Sequence, residues 1–332
     1  MKINNLTLAF LIFFFFSNST FADDFNDWLS SFKIVALKKG ISEKTFDKVM
    51  SDVKFLPKVI KYDRYQPEFY EDTKTYISKR TSKEKISQGI IIYKKNNLLI
   101  NKVENEFNVD KELLLALMGI ETNFGKYLGK MDIISSLATL SFDKRRSEFF
   151  TKELIKILQL IEEGVIDYNI LYGSWAGAFG NFQFMPSTIM NYAIDYNSDK
   201  KIDLKSIDDS FASAANYINR LGWKKNEPCY LKINLKENTP AILLNTSAKK
   251  IKSKNSLKEI KKYIKDSNKI KLNDKLTVAL VTPDRDIVEN SKLLEPAYLI
   301  FNNYELILKW NRSLRFALAV CNLKNKFKNE LL

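Results

Sequence analysis

Few residue types in this chain can do chemistry, because it contains no histidine. Ser-His-Asp and Cys-His catalysis and histidine-ligated zinc are excluded, so acid–base work must rest on carboxylates, lysine, tyrosine or a bound metal. Glu121 is the best-placed carboxylate. It stands in the last turn of DKELLLALMGIETNFG (residues 110–125), four residues after Leu117 and seven after Leu114, on the apolar stripe of a helical repeat. The nearest cations in sequence, Lys126 and Lys130, lie outside that helix. A carboxyl among apolar neighbours at the negative end of a helix dipole should have its pKa raised, which keeps it protonated and able to donate near neutral pH. A helix-end glutamate turned out to solvent is the competing reading.

Two further constellations stand out. The loop GSWAGAFGNFQFMP (173–186) carries Gly173, Gly177 and Gly180, where backbone can approach a ligand closely, beside Ser174, Trp175, Asn181, Phe182 and Gln183. Stacking faces with amide and hydroxyl rims suit a sugar, and a tightly packed turn is the plainer alternative. It lacks the lysine and threonine of a phosphate loop. Asp195, Asn197, Asp199 and Lys201 (through its carbonyl) resemble the start of a calcium loop, with Asp208 or Asp209 downstream. Position 6 is Lys200 instead of glycine and position 12 is Ser206 instead of glutamate, so an ordinary polar turn competes.

Elements must hold these residues in place. Asp110 or Asn108 is the expected N-cap of the Glu121 helix and Gly125 its stop. Upstream, 23–54 reads as two short helices, the first stopped by Gly40 and the second opened by Ser42. The aromatic stretch 62–76, broken by Pro67, reads as an extended strap, and 82–107 as one long helix. Seven of the ten glycines fall between Gly119 and Gly180, among short helices and tight turns. Helices are expected over 147–163 and 211–221, with Pro186 as the first residue of another. Alternation in YLKINL (230–235) and the β-rich TVALVT (277–282) predict a small β-containing subdomain, with a short helix inside the lysine-rich 249–271. The segment 296–323 reads as a return to helix.

Composition bounds the rest. A chain of 332 residues can bury a real core, and its 45% apolar content is ordinary for a soluble protein. Residues 1–22 carry the pattern of a secretory signal: Lys2, the apolar run LTLAFLIFFFF (6–16), and small residues before Asp23. No cysteine lies near that cleavage point, which argues against a lipid anchor. Removing the segment leaves +13 of the +14 formal charge. Export makes nucleic acid an unexpected partner, and an anionic wall polymer or membrane surface fits the charge better. An oxidising compartment permits a Cys229–Cys321 disulfide, but two cysteines alone leave the pairing open.

The ordered runs ALMGIETNFG, LATLSFDKRR, GSWAGAFGNFQFMPST, the Asp-x-Asn-x-Asp loop and ANYINRLGW together resemble the catalytic domain of the lytic murein transglycosylase B family. QPEF upstream and YLIFNNYELILKWNRSLRFALAV near the end resemble its flanking elements. The resemblance spans about 63–323 and is weakest over 226–288. It implies a mainly α, lysozyme-like catalytic core with N- and C-terminal helices packed on it and a small β-containing subdomain. The corresponding organisation is a signal (1–22), an N-terminal helical region (23–95), a catalytic core (96–225), the subdomain (226–295) and a C-terminal helical return (296–332). It also implies non-hydrolytic cleavage of the β-1,4 bond between N-acetylmuramic acid and N-acetylglucosamine, leaving a 1,6-anhydro end. Glu121 matches the family's single catalytic glutamate, acid first and base second. Ser174, Gln183 and Phe182 would hold the sugar, and Arg145 and Arg146 would meet lactyl or peptide carboxylates. Tyr217, Trp310, Asn311 and Phe316 would line the cleft; Phe149, Trp310 and Phe316 stand where relatives are expected to carry tyrosine. Asp195, Asn197, Asp199, Lys201 and Asp209 match a calcium or sodium site, and the chemistry itself requires no cofactor. The implied partner is periplasmic peptidoglycan, with cell-wall synthases or divisome proteins as candidate recruiters and a monomer as the expected state. A hydrolytic muramidase using a positioned water, or a non-catalytic wall-binding protein, are the rival readings.

Overall fold

The computed structural model describes residues 19–65, 71–285 and 294–331. In chain order the main elements begin with α1 (Ser19–Lys38), α2 (Glu43–Met50), α3 (Pro57–Arg64), α4 (Thr73–Arg80), α5 (Lys83–Lys95), α6 (Asn97–Phe107) and α7 (Lys111–Thr122). Next come β1 (Met131–Asp132), α8 (Ile133–Phe142), α9 (Ser147–Glu162), β2 (Tyr172–Gly173), α10 (Pro186–Tyr192) and α11 (Ile207–Arg220). The remainder holds β3 (Tyr230–Ile233), β4 (Leu244–Asn245), β5 (Asn255–Ser256), α12 (Leu257–Lys261), β6 (Thr277–Val281), β7 (Ala297–Ile300), α13 (Asn302–Trp310) and α14 (Leu314–Leu331). The mainly helical architecture with a small sheet is as expected. The apolar run 6–16 and the QPEF motif lie outside the described residues, and α1 begins at Ser19, upstream of the expected cleavage point.

Two compact units interleave along the chain. The first holds the described residues up to Tyr65, with 128–191 and 198–203; the second holds those of 66–127, 192–197 and 204–332. In the first unit, Ser42 caps α2 by accepting the Thr45 N–H, as its position predicts. Phe25, Trp28, Phe32 and Phe142 form an aromatic cluster in which Trp28 stacks on Phe32 with centroids 5.2 Å apart. The pair β1–β2 is antiparallel, with Met131 opposite Gly173. That pairing carries the chain into the glycine-rich loop, and Pro186 opens α10 as expected.

In the second unit α7 is the hub. Leu113 to Met118 are all buried, so the helix is enclosed on every side rather than along one stripe. Its partners are α14, α5, α6 and α11. The sheet runs β3-β7-β6-β4, antiparallel except for the parallel β4–β6 pair, with β5 also paired to β6. Leu257 and Ile260 of α12 pack with Val278, Leu280 and Leu299 of the sheet. A disulfide joins Cys229, just before β3, to Cys321 in α14.

Three expectations about elements need correction. The described parts of 62–76 (62–65 and 71–76) do not form the expected extended strap: Tyr62 lies in α3 and Tyr76 in α4, where Asp72 accepts the Thr75 N–H and starts a new helix. The stretch 82–107 is two helices, broken at Asn96, whose side-chain amide bonds back to the Ile92 carbonyl at 2.9 Å. Residues 297–300 form a central strand, buried at every position and paired on both edges. A short, continuously apolar run does not distinguish a fully buried strand from a buried helix.

Candidate active site

The end of α7 sets the position of Glu121. Asp110 stands at the N-cap position, but its carboxylate makes no cap; it accepts the Trp223 indole N–H at 2.7 Å and the Asn226 N–H at 3.3 Å, anchoring the start of the helix. The helix stops at Asn123 rather than Gly125. Asn123, Phe124 and Gly125 take φ of 50°, 60° and 79°, three left-handed residues in a row. The Asn123 N–H bonds the Gly119 carbonyl, the 5→1 bond of an αL closure made without glycine at the turn, and the Phe124 N–H bonds the Met118 carbonyl. A left-handed phenylalanine is strained, and it persists because its ring is locked in place. That ring occupies the space beside Gly119 and Gly89: a Cβ on Gly119 would lie 2.7 Å from its tip. Phe327 of α14 packs edge-on against it.

Glu121 is half-buried just before this turn, so it does not project freely into solvent. Its Oε1 accepts the indole N–H of Trp310 at 2.9 Å. Trp310 stacks on Tyr217 (5.1 Å between centroids, 26° between planes), and Tyr217 stacks on Tyr192 (4.3 Å, 26°). The Arg220 guanidinium lies over the outer face of Tyr192 at 5.5 Å. The Tyr217 hydroxyl donates to the Lys309 carbonyl at 3.3 Å, and burial pushes its pKa up, so it stays a neutral phenol. A column of three rings thus ends on one carboxylate. On another side Glu121 lines a cavity of about 410 Å³ with Lys85, Gln88, Asn123 and Tyr127. Lys85 donates to the Gly119 carbonyl at 2.6 Å, placing an ammonium at the negative end of α7, while burial pulls its pKa down with Arg80 adding to the effect. Glu84, on the same cavity, is exposed; hydrogen bonds, first from the Ser82 side chain, hold its pKa low.

The first unit holds Ser174, Gln183, Phe182, Arg145 and Arg146. The Ser174 hydroxyl accepts the Ala178 N–H at 2.9 Å and the Ala176 N–H at 3.3 Å. Gln183, itself left-handed at φ 50°, donates its amide to the Gly180 and Leu128 carbonyls. These bonds fold the loop, and Gly177 is pressed so closely on Leu137 that a Cβ would come within 2.5 Å. Phe182 is buried in the first unit and Phe316 in the second, so both serve the core and offer no stacking face. Arg145 and Arg146 are not free guanidinium forks. Both hold Asp63, whose side chain is buried: Arg145 Nε bonds its Oδ2 at 2.8 Å, and Arg146 bonds its Oδ1 and lies over the Phe150 ring. Asn311 is half-buried and ends α13.

The acidic loop is divided between the units. In the first, the Lys201 N–H donates to Asp199 Oδ1 at 2.9 Å, and Lys200 takes φ 70°, so a lysine adopts the backbone shape expected of glycine there. In the second, buried Asp209 accepts the Tyr196 N–H at 2.8 Å and, with Ser206, opens α11. Asp195 is half-buried and Asn197 exposed. Among the described residues no group of three or more His, Cys, Asp or Glu side chains is placed to hold a metal ion.

Residues 24–325 match the transglycosylase SLT domain family. The chain belongs to that family. Among curated relatives it is 35% identical over 153 residues to the membrane-bound lytic murein transglycosylase B of Escherichia coli K12, an alignment covering 46% of this chain. It spans about two fifths (42%) of that relative's length. Among solved structures it is similar to SltB3 of Pseudomonas aeruginosa in complex with NAG-anhNAM-pentapeptide, with TM-score 0.80, 31% identity, and coverage of 92% of this chain and 79% of that one. The E. coli lytic transglycosylase Slt35 in complex with calcium has TM-score 0.75 at 24% identity over 92% and 93% of the two chains, which shows the shared fold.

Within this family member, the Trp310–Glu121 bond, the Tyr192 end of the ring column and Lys85 all escape a reading of the sequence. Trp310 lies 189 residues downstream of the acid and Lys85 on a separate helix, so no local spacing announces either.

Proposed function

We propose that this chain is a lytic transglycosylase that cleaves the β-1,4 bond between N-acetylmuramic acid and N-acetylglucosamine in peptidoglycan. Glu121 donates its proton to the bridging oxygen as the bond to C1 breaks, so the leaving sugar departs with a hydroxyl. The resulting carboxylate takes the proton of the muramoyl C6 hydroxyl as O6 bonds to C1. The proton balance closes on one side chain, no water is consumed, and the product ends in a 1,6-anhydro ring. An ordinary glycosidase needs a second carboxylate, because a water or a covalent intermediate must be managed. No metal or cofactor enters these steps.

The observation that carries the reading is the half-buried Glu121 carboxylate held by an indole N–H at a strained helix end. Trp310 donates to the anionic form, so it steadies the carboxylate after the first transfer and aims it for the second. Family membership supports the same reaction, and the SltB3 neighbour is bound to a ligand with an anhydromuramoyl end. Tyr217 backs the Trp310 ring whose N–H holds the acid. The signal-like pattern of residues 1–22 and the paired cysteines support a periplasmic location. Glycan strands are the partner. Among the described residues no helix is long and apolar enough to cross a membrane.

The test uses purified sacculi with mass analysis of the products. Glu121→Gln should abolish release, whereas Glu84→Gln should keep most of it. Reducing ends in place of anhydro ends, or equal losses from the two substitutions, would mean a hydrolase with two working acids.

A further inference from the structure

The alternation of YLKINL (230–235) sends Leu231 and Ile233 toward the core under α12 and leaves Tyr230 and Lys232 on the opposite face of β3. Tyr298 of β7 stands opposite Lys232 in the register and joins that face. A polar sheet face ordinarily meets water. Here α4 and α14 roof it, with Ile77 and Ser78 from one and Asn322 and Lys326, a turn apart, from the other. The space between is a cavity of about 670 Å³, within the size range of small-molecule sites. It lies wholly in the second unit and shares no lining residue with the Glu121 cavity.

Its polar groups are only partly spent. Tyr298 is 5% exposed and packs edge-on against Tyr230 with centroids 5.2 Å apart, and among the described residues its hydroxyl has no hydrogen-bond partner. Burial pushes its pKa up, so it remains a phenol that can donate. Asn322 donates to the Tyr230 hydroxyl at 3.5 Å, a long contact, and its own buried Oδ1 has no partner. Turning that amide over would only exchange the end that is left unpaired. Lys326 donates to the Thr81 carbonyl at 2.6 Å and the Thr81 hydroxyl at 3.1 Å, which leaves a third N–H. Lys74 and Lys232 are exposed, and among the described residues no ion pair engages any of the three lysines.

The unspent groups are mostly donors: two phenols and three ammonium groups, against one amide oxygen. The Asp284 carboxylate is committed to the Thr73 N–H and the Arg315 guanidinium, at 3.0 Å each, and Glu295 is exposed at the edge. An occupant that satisfies this inventory brings several acceptor oxygens, a negative charge and a hydroxyl for Asn322. No guanidinium lines the cavity, so the planar fork that pairs with a carboxylate is not offered. Ammonium point charges beside phenol donors suit a tetrahedral anion. We infer that this cavity binds a hydroxyl-bearing phosphate ester, the chemistry of glycerol phosphate. The site does not depend on the reaction proposed for Glu121.

Calorimetry on the whole protein compares sn-glycerol 3-phosphate, inorganic phosphate and glycerol. The ester should bind, glycerol should not, and inorganic phosphate should bind about tenfold more weakly, since it leaves the Asn322 oxygen unpaired. Tyr298→Phe keeps the ring and removes the hydroxyl, so affinity for the ester should fall about ten- to a hundredfold. Lys232→Gln, an exposed change, should weaken binding a few-fold and flatten its dependence on salt. Unchanged melting temperatures check both folds, and if Tyr298→Phe melts early, Lys232→Gln decides. Phosphatidylglycerol vesicles, set against phosphatidylcholine vesicles, separate the two sources of the ligand. Sedimentation with the first that is lost in the variants assigns a lipid headgroup, and binding of the free ester without vesicle binding assigns a soluble phosphate ester; both uphold the site. No binding of ester or vesicle, binding unchanged by both substitutions, or inorganic phosphate bound as tightly as the ester overturns it.

Discussion

In the proposed mechanism the indole of Trp310 gives Glu121 a direction, which an acid serving twice at two different oxygens requires. Replacing it by phenylalanine keeps the ring on Tyr217 and removes only the N–H. A hydrogen bond to a charged group contributes about 1.5–3 kcal/mol, so kcat should fall roughly ten- to a hundredfold with a small change in melting temperature. Initial rates on soluble glycan strands check this, and an unchanged kcat would show that the bond is idle. At this scale the sequence singles out Glu121 as the candidate acid, because it sits in a motif with its own periodicity and turn. It did not locate the acid's company. Trp310 could be placed among cleft residues by family resemblance, but its donor atom could not. The same limit misled for Arg145, Arg146, Phe182 and Phe316, whose side chains are engaged by Asp63 or by the core.

Among the elements, α7 and the turn after it do the positioning. Three left-handed residues are tolerated because the Phe124 ring fits over two helical glycines, one on α7 and one on α5. Gly119→Ala puts a methyl 2.7 Å from that ring, and the ring cannot withdraw without moving the turn. Overpacking of this kind costs about 1–3 kcal/mol, and the displaced turn should cost activity as well. Thermal unfolding and turnover of the alanine variant test the claim; wild-type values for both would show that the ring is not the lock. Strong local signals were legible here: the Ser42 cap, the Pro186 start and the alternation of 230–233 all appear as read. Elements decided by long-range pairing were not. The strand 297–300 lies between partners 67 positions upstream and about 20 positions upstream, and nothing in its own four residues says so.

At the scale of the whole molecule, the chain passes between its two units several times, an arrangement that contiguous segments do not express. The Cys229–Cys321 disulfide closes a span of 92 positions within the second unit, tying the sheet to the helix that packs on α7. Such a loop closure contributes about 4–5 kcal/mol, so Cys229→Ala/Cys321→Ala should unfold several degrees earlier, and reductant should shift wild type alike. Differential scanning in the two redox states checks it, and coincident melts would deny the bond a stabilising role. Composition was legible at this scale: absent histidine left carboxylate chemistry, and family resemblance supplied the fold. The measurement that bears most directly on the whole account is mass analysis of sacculi digested by wild type and by Glu121→Gln. The account predicts 1,6-anhydromuramoyl ends from wild type and an intact wall from the variant. Anhydro ends released at the same rate by both proteins would contradict it.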